Sequence, residues 1–282
     1  MKKFTITVAE TAGFCFGVDR AVKLVYNSLC SCSKTATLGE IIHNPSVVSD
    51  FESKGVRVIN SPAEALSDEK VIIRSHGVGA EVYRQLESRG IEYSDGTCPF
   101  VSRIHKIAAR CSDEGKTVII MGNADHPEVQ GIAGHCSGEV HILADSSSLS
   151  DFLKKNLKNH KKKVAIMPQT TYNINMWQKC REIASFYDET EAYDTVCSAT
   201  SQRQQEAERL AEQSDVMIVI GGRHSSNTKK LFDICRSRCS LCFHVENPQE
   251  IQLLKMPKGF SDKCDIRIGI TAGASTPAYI IK

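Results

Sequence analysis

The stretch Thr97-Cys98-Pro99-Phe100-Val101-Ser102-Arg103-Ile104-His105 reads as a helix opened by a cysteine. Val101, Ile104, Ala108 and Cys111 recur at helical spacing and give that helix one apolar face. An apolar strand follows at Thr117 to Met121, and then a polar loop, His126-Pro127-Glu128. The same order occurs twice more. Cys15 precedes a helix with Val18, Ala21, Val22, Val25 and Leu29 on one face, then a strand at Thr35 to Leu38, then His43-Asn44-Pro45. Cys197 precedes a helix with Ala199, Ala207, Leu210 and Ala211, then Val216 to Ile220, then Ser225-Ser226-Asn227. Cys15 to His43, Cys98 to His126 and Cys197 to Ser225 are each 28 residues apart. Three equal separations joining equivalent elements mark an internal repeat.

Each repeat adds a second strand running into a small polar turn. These are Val71 to Gly77, Val164 to Thr171 and Ile266 to Ser275. Helices alternating with apolar strands predict an α/β fold with mainly parallel sheets. The blocks are residues 15–97, 98–196 and 197–282, and the strand within residues 1–14 is expected to join the third. In open α/β sheets ligands bind outside the carboxyl ends of the strands, where all the polar loops fall. Pseudo-threefold symmetry would bring the three cysteines and their loops around one axis.

The chain has 282 residues, is 41% hydrophobic and carries 35 basic against 33 acidic residues. That suffices for a core and gives no global field for nucleic acid. Apolar runs such as Val216 to Ile220 fall far short of the roughly 18 residues that span a bilayer. No membrane or nucleic-acid partner is expected. The N-terminus reads as a strand, Phe4 to Val8, of a soluble cytoplasmic protein.

Twelve cysteines without an export signal are expected to stay reduced. Cys30-x-Cys32 is too tight for a structural zinc pair. Cys235-x3-Cys239-x2-Cys242 has the spacing of a radical-enzyme iron–sulfur loop, but it lies late in the chain and runs out of a helix, which favours ordinary core cysteines. Cys15, Cys98 and Cys197 sit at helix starts, where the dipole favours thiolate. Three converging thiolates suggest a metal. A structural zinc would want a fourth protein ligand. An iron–sulfur cluster would keep one iron open as a Lewis acid. The loops offer His43, His76, His126, Glu128, Thr170, Ser225, Ser226, Asn227 and Ser275, a set suited to an oxygen-rich anion, with one carboxyl as proton donor. The start of the helix after Ser225 is a natural anion site. His105, His135, His141, His160, His224 and His244 are read as structural or surface residues.

Nine ordered motifs carry a resemblance. They are Gly13-Phe14-Cys15-Phe16-Gly17-Val18, Ile42-His43-Asn44-Pro45, Arg74-Ser75-His76-Gly77-Val78, Thr97-Cys98-Pro99, His126-Pro127-Glu128-Val129, Gln169-Thr170-Thr171, Val196-Cys197-Ser198-Ala199-Thr200, Ser225-Ser226-Asn227 and Thr271-Ala272-Gly273-Ala274-Ser275. Together they closely resemble the 4-hydroxy-3-methylbut-2-enyl diphosphate reductases, an oxidoreductase family that ends the methylerythritol phosphate route of isoprenoid biosynthesis. The resemblance implies a trefoil of three α/β units around a central [4Fe–4S] cluster. Cys15, Cys98 and Cys197 would ligate three irons, and the allylic hydroxyl of the diphosphate substrate would take the open one. Two electrons from a ferredoxin or flavodoxin and two protons would release water and give isopentenyl and dimethylallyl diphosphate. Glu128 and Thr170 would serve the proton path. His43, His76, Ser225, Ser226, Asn227 and Ser275 would bind the diphosphate, and His126 would join that shell or the relay. Phe16 stands where many relatives carry Ala. Relatives also run on past the position of Lys282 into a segment that helps cover the site. Cys235, Cys239 and Cys242 are no part of the family pattern.

Overall fold

The apolar runs become central strands because a parallel sheet with both faces covered needs side chains that can be buried on either side. The computed structural model describes residues 3–31, 34–157, 163–254 and 264–281, so Cys32 and His160 lie outside the described residues. The chain divides into two compact units, one of residues 1–16, 43–47 and 198–282, the other of residues 17–42 and 48–197.

The larger unit holds two sheets. The first contains β2 (Lys34–Leu38), β3 (Arg57–Ile59), β4 (Glu69–Ile73) and β5 (Tyr93–Asp95), in the order β3-β2-β4-β5. The second contains β6 (Thr117–Met121), β7 (Val140–Leu143), β8 (Val164–Pro168) and β9 (Thr190–Ala192), in the order β7-β6-β8-β9. The smaller unit holds one sheet, built from β1 (Lys3–Val8), β10 (Val216–Ile220), β11 (Cys242–Val245) and β12 (Asp265–Ala272), in the order β1-β12-β10-β11. Every pairing among these strands is parallel.

The three sheets share one connectivity. β2, β6 and β10 each follow a helix that starts at a cysteine: α1 (Phe16–Cys30), α4 (Pro99–Asp113) and α8 (Ser198–Glu212). The edge strands β1, β5 and β9 lead in turn to Cys15, Cys98 and Cys197. Each central strand ends in a glycine, where the chain leaves the sheet. Gly39 and Gly221 have φ of 73° and 144°, a region closed to most L-residues. The N–H groups of Gly39, Gly122 and Gly221 donate to the carbonyls of Ile59, Leu143 and Val245 at 2.7, 2.9 and 2.9 Å.

The sheet of β6 to β9 illustrates the layering. Ile119, Met121 and Ile166 pack with Leu149 of α6 (Ser146–Leu157) and Trp177 of α7 (Ile174–Ala184). Val118, Ile120, Ala165 and Met167 pack on the other face, against Ile104 of α4 and Ile132 of α5 (Pro127–Ala133). Each of the Val, Leu, Ile and Met side chains among these, taken wholly from water, contributes about 1.5–3 kcal/mol. In the first sheet Leu38, Ile59, Val71 and Ile73 pack with Leu86 of α3 (Ala80–Ser88). In the smaller unit Met217 and Val219 meet Leu210 of α8 and Leu231 of α9 (Ser226–Arg238).

Candidate functional site

The three repeat cysteines are half-buried, and each directly precedes a helix of 15 residues. Their backbones are anchored alike. The Cys15 N–H donates to the Ala274 carbonyl at 3.2 Å, Cys98 to Ser75 at 3.0 Å and Cys197 to Thr170 at 3.2 Å. Every acceptor lies in the polar turn that follows β12, β4 or β8, beside Ser275, beside His76, or in Thr170 itself. Within the larger unit, α1 approaches Cys98 so closely that a Cβ on Gly17 would lie 2.5 Å from its Sγ. Arg20, one turn further on, donates to the carbonyls of Asp95 and Thr97 at 2.9 and 3.1 Å. Cysteines at helix starts, with side-chain-free space beside the Cys98 sulfur, fit a sulfur-ligated metal cluster.

The larger unit also brings together Glu128, Thr170, His126 and His76. Glu128, on α5, is only 2% exposed. One carboxylate oxygen accepts from the Thr170 N–H at 2.5 Å and the other from the Thr170 hydroxyl at 2.7 Å. His126 caps α5, its Nδ1 accepting from the Glu128 N–H at 3.2 Å. An accepting Nδ1 places the neutral ring's proton on Nε2, which then serves as a donor. The ring of His76 stands edge-on to that of His126, centroids 5.5 Å apart.

Behind this cluster lie His105 and His135, which the sequence reads as structural or surface residues, together with Tyr83 and Gln169. His105 is 6% exposed and stacks on His135 with centroids 4.2 Å apart. A Cβ on Gly77, next to His76, would meet the His105 ring at 2.5 Å, so His105 backs that turn. Burial, reinforced by the neighbouring His135, pushes the His105 ring down to about 3, leaving it neutral. The Tyr83 hydroxyl donates to Asp95 at 3.1 Å, and burial raises it to about 12. Gln169 is fully buried, its Oε1 accepting from the Asn123 N–H at 3.1 Å and its Nε2 donating to Thr171 at 2.8 Å. Its place inside the Gln-Thr-Thr motif was the one available signal.

The smaller unit carries Cys15, His43, Ser225, Ser226, Asn227 and Ser275. Ser225 caps α9, accepting from the Thr228 N–H at 3.3 Å. Ser226 accepts from Lys230 at 3.0 Å. Asn227 is 5% exposed, yet among the described residues neither its Nδ2 nor its Oδ1 has a hydrogen-bond partner. A buried amide left open in the first turn of a helix is suited to a ligand, and an anion is favoured there. The Ser275 hydroxyl donates to the His43 carbonyl at 3.1 Å.

The Cys235, Cys239 and Cys242 triplet is core. Cys235 is wholly buried on α9, Cys239 ends that helix, and Cys242 packs beside them. The Cys235 thiol contacts the Ala207 carbonyl, and Cys242 together with burial holds it far above the usual thiol range.

The model of the LytB protein family matches residues 6–282. The chain belongs to the LytB family. A relative from Caldanaerobacter subterraneus subsp. tengcongensis, named 4-hydroxy-3-methylbut-2-enyl diphosphate reductase, is 43% identical over 282 residues, spanning 98% of this chain and 94% of that one. The protein of that name from Geobacter sulfurreducens is 39% identical over 277 residues, with the same two coverages. Among solved structures, an (E)-4-hydroxy-3-methyl-but-2-enyl diphosphate reductase, titled the terminal enzyme of the non-mevalonate pathway, is 38% identical. It aligns over 100% of this chain and 96% of its own, with a TM-score of 0.69. The Plasmodium falciparum reductase structure shares the fold at 22% identity, TM-score 0.86, covering 99% of this LytB chain and 85% of its own. The LytB identity implies an iron–sulfur cofactor.

Proposed function

We propose that this chain reduces 4-hydroxy-3-methylbut-2-enyl diphosphate with two electrons and two protons, releasing the allylic hydroxyl as water and giving isopentenyl and dimethylallyl diphosphate. LytB membership over residues 6–282 supports the reaction. The observation that carries the residue roles is Thr170, which bonds Glu128 through its N–H and hydroxyl and holds the Cys197 N–H through its carbonyl. Proton donor and metal ligand are thus tied to one residue.

In this reading Cys15, Cys98 and Cys197 hold a [4Fe–4S] cluster that leaves one iron open. When bound, such a cluster would relay the carrier's electrons and provide a Lewis acid. Glu128 and the Thr170 hydroxyl hold the proton given to the departing oxygen, with His126 beside Glu128 as a relay or an anion donor. His43, His76, Ser225, Ser226, Asn227 and Ser275 bind the diphosphate, whose remote binding energy orients the reacting carbon. Residues 15–97, 98–196 and 197–282, the last joined by the strand in 1–14, are three copies of one unit. The electron donor is a ferredoxin or flavodoxin, and the compartment is the cytoplasm. Among the described residues no helix is long and apolar enough to cross a membrane.

The test is iron and acid-labile sulfide per chain on protein purified without oxygen, followed by viologen-coupled turnover. About four of each per chain is expected for such a cluster. Stoichiometric zinc with negligible sulfide in a folded protein would overturn the reductase reading.

A further inference from the structure

α4 begins at Cys98 and turns an unbalanced set of cations outward. A dish of about 430 Å³ in the larger unit is lined by Arg20, Asp95, Thr97, Pro99, Arg103 and Lys106, among others. Thr97 and Pro99 are the chain neighbours of Cys98, so the dish adjoins the backbone of that cysteine. Asp95, the acid among these six, is engaged through both oxygens, accepting from the Thr97 N–H at 2.8 Å and from the Tyr83 hydroxyl at 3.1 Å. Those donors are neutral, so Asp95 keeps its charge, and Arg20, which donates to the carbonyls of Asp95 and Thr97, leaves the dish with three cations against one carboxylate. Arg103 and Lys106 are exposed and form no ion pair among the described residues. Nearby cations differ: Lys23 pairs with Asp19, Arg84 with Glu81, and Arg110, further along α4, with Glu114. Beside the dish Pro99 and Phe100 are exposed, Phe100 at 38%. Basic charge with a small apolar anchor suits a macromolecular partner of opposite sign.

We propose that this dish is the docking surface for an acidic electron-carrier protein, seated over the start of α4 so that electrons enter beside Cys98. The proposal rests on the reductase reading above. Each turnover consumes two electrons, supplied when two carriers pass from the reduced to the one-electron-oxidised form. The two protons go to the departing hydroxyl, which leaves as water, and to the allyl fragment. The dish is open, and its outer cations stand on an exposed helix face. A protein with a matching acidic surface fits that shape better than a small anion, which an enclosed pocket would hold.

The test uses anaerobically purified holoenzyme, with a bacterial flavodoxin as the probe. Arg103→Glu/Lys106→Glu reverses the outer charges and leaves Arg20 holding its carbonyls. Lys154→Glu/Lys155→Glu, on the exposed end of α6, makes the same change in net charge elsewhere. At low salt the first variant is expected to weaken flavodoxin binding at least tenfold and to lower flavodoxin-driven kcat/KM to match. Viologen-driven kcat should stay within twofold of wild type. The gap should narrow at high salt, where surface charges are screened, and the second variant should behave as wild type. Unchanged flavodoxin affinity in the first variant, or an equal loss in both, overturns the docking site. So does a loss of inorganic pyrophosphate binding without a loss of flavodoxin binding, which would mark a small-anion site. If wild-type holoenzyme lacks viologen-driven turnover, the reductase reading itself falls, and that result is seen before any flavodoxin is added.

Discussion

Glu128 accepts both the N–H and the hydroxyl of Thr170, at 2.5 and 2.7 Å, within a site it shares with the cap of its own helix. Both partners are almost wholly buried. In Glu128→Gln one amide oxygen can still accept from the Thr170 N–H while the amide nitrogen donates to the hydroxyl oxygen. Local structure should therefore survive while the transferable proton is lost. Viologen-driven kcat is expected to fall at least about a hundredfold, the lower end of general-acid contributions, with iron content and substrate affinity unchanged. Wild-type turnover would remove Glu128 from the proton path.

Gly17 offers a structural test of the metal site. Alanine would ordinarily favour the helix by up to about 1 kcal/mol. Here its Cβ would lie 2.5 Å from the Cys98 sulfur, so that side chain must move. Gly17→Ala is expected to lower iron per chain by more than half while the metal-free protein keeps a melting temperature close to that of metal-free wild type. Full iron occupancy would show that Cys98 is not a ligand in the position described.

Asn227 should set stability against binding. Its buried amide has no partner among the described residues, a situation that costs about 1–3 kcal/mol. Asn227→Leu is expected to leave the melting temperature of the substrate-free protein equal or higher, and to weaken inorganic pyrophosphate binding at least tenfold. Equal pyrophosphate affinity in the variant would exclude Asn227 from the anion site.

The buried His105 ring gives stability a pH dependence. In the unfolded chain a histidine gains its proton near 6.5, whereas the folded ring stays neutral down to about 3. The unfolded state therefore binds more protons between these values. The contribution is complete above about 6.5 and is lost as pH falls toward 3, by about 2 kcal/mol between pH 7 and pH 5. Wild-type melting temperature should fall more steeply over that interval than that of His105→Gln. Parallel slopes would contradict a neutral buried ring.

Much of this was legible because the repeat is metric. The helices after the cysteines have 15 residues each and the next strands five each, so equal spacing survives in the bare sequence. The match is nonetheless offset in the first repeat. His126 and Ser225 are helix caps 28 residues after their cysteines, but the helix after β2 starts at Pro45, and the Asn44 side chain accepts from the Val47 N–H at 3.3 Å. Proline bars its predecessor from the helical region, so the capping place falls to Asn44 and His43 stands one residue outside. Edge strands such as Tyr93–Asp95 and Thr190–Ala192 were not legible, being three residues long, polar and without a decisive period. Nor could any pattern pair the Cys15 amide with the Ala274 carbonyl, since that bond joins opposite ends of the chain.

That amide bond recurs at all three cysteines and uses main-chain atoms only. The turn that anchors a cysteine can therefore change its side chains without loosening the cysteine. The three turns have done so: Ser75-His76-Gly77, Thr170-Thr171 and Ala274-Ser275 share a backbone task and little else. A triplicated unit of this kind can keep one backbone scaffold while each copy presents different side chains at its turn.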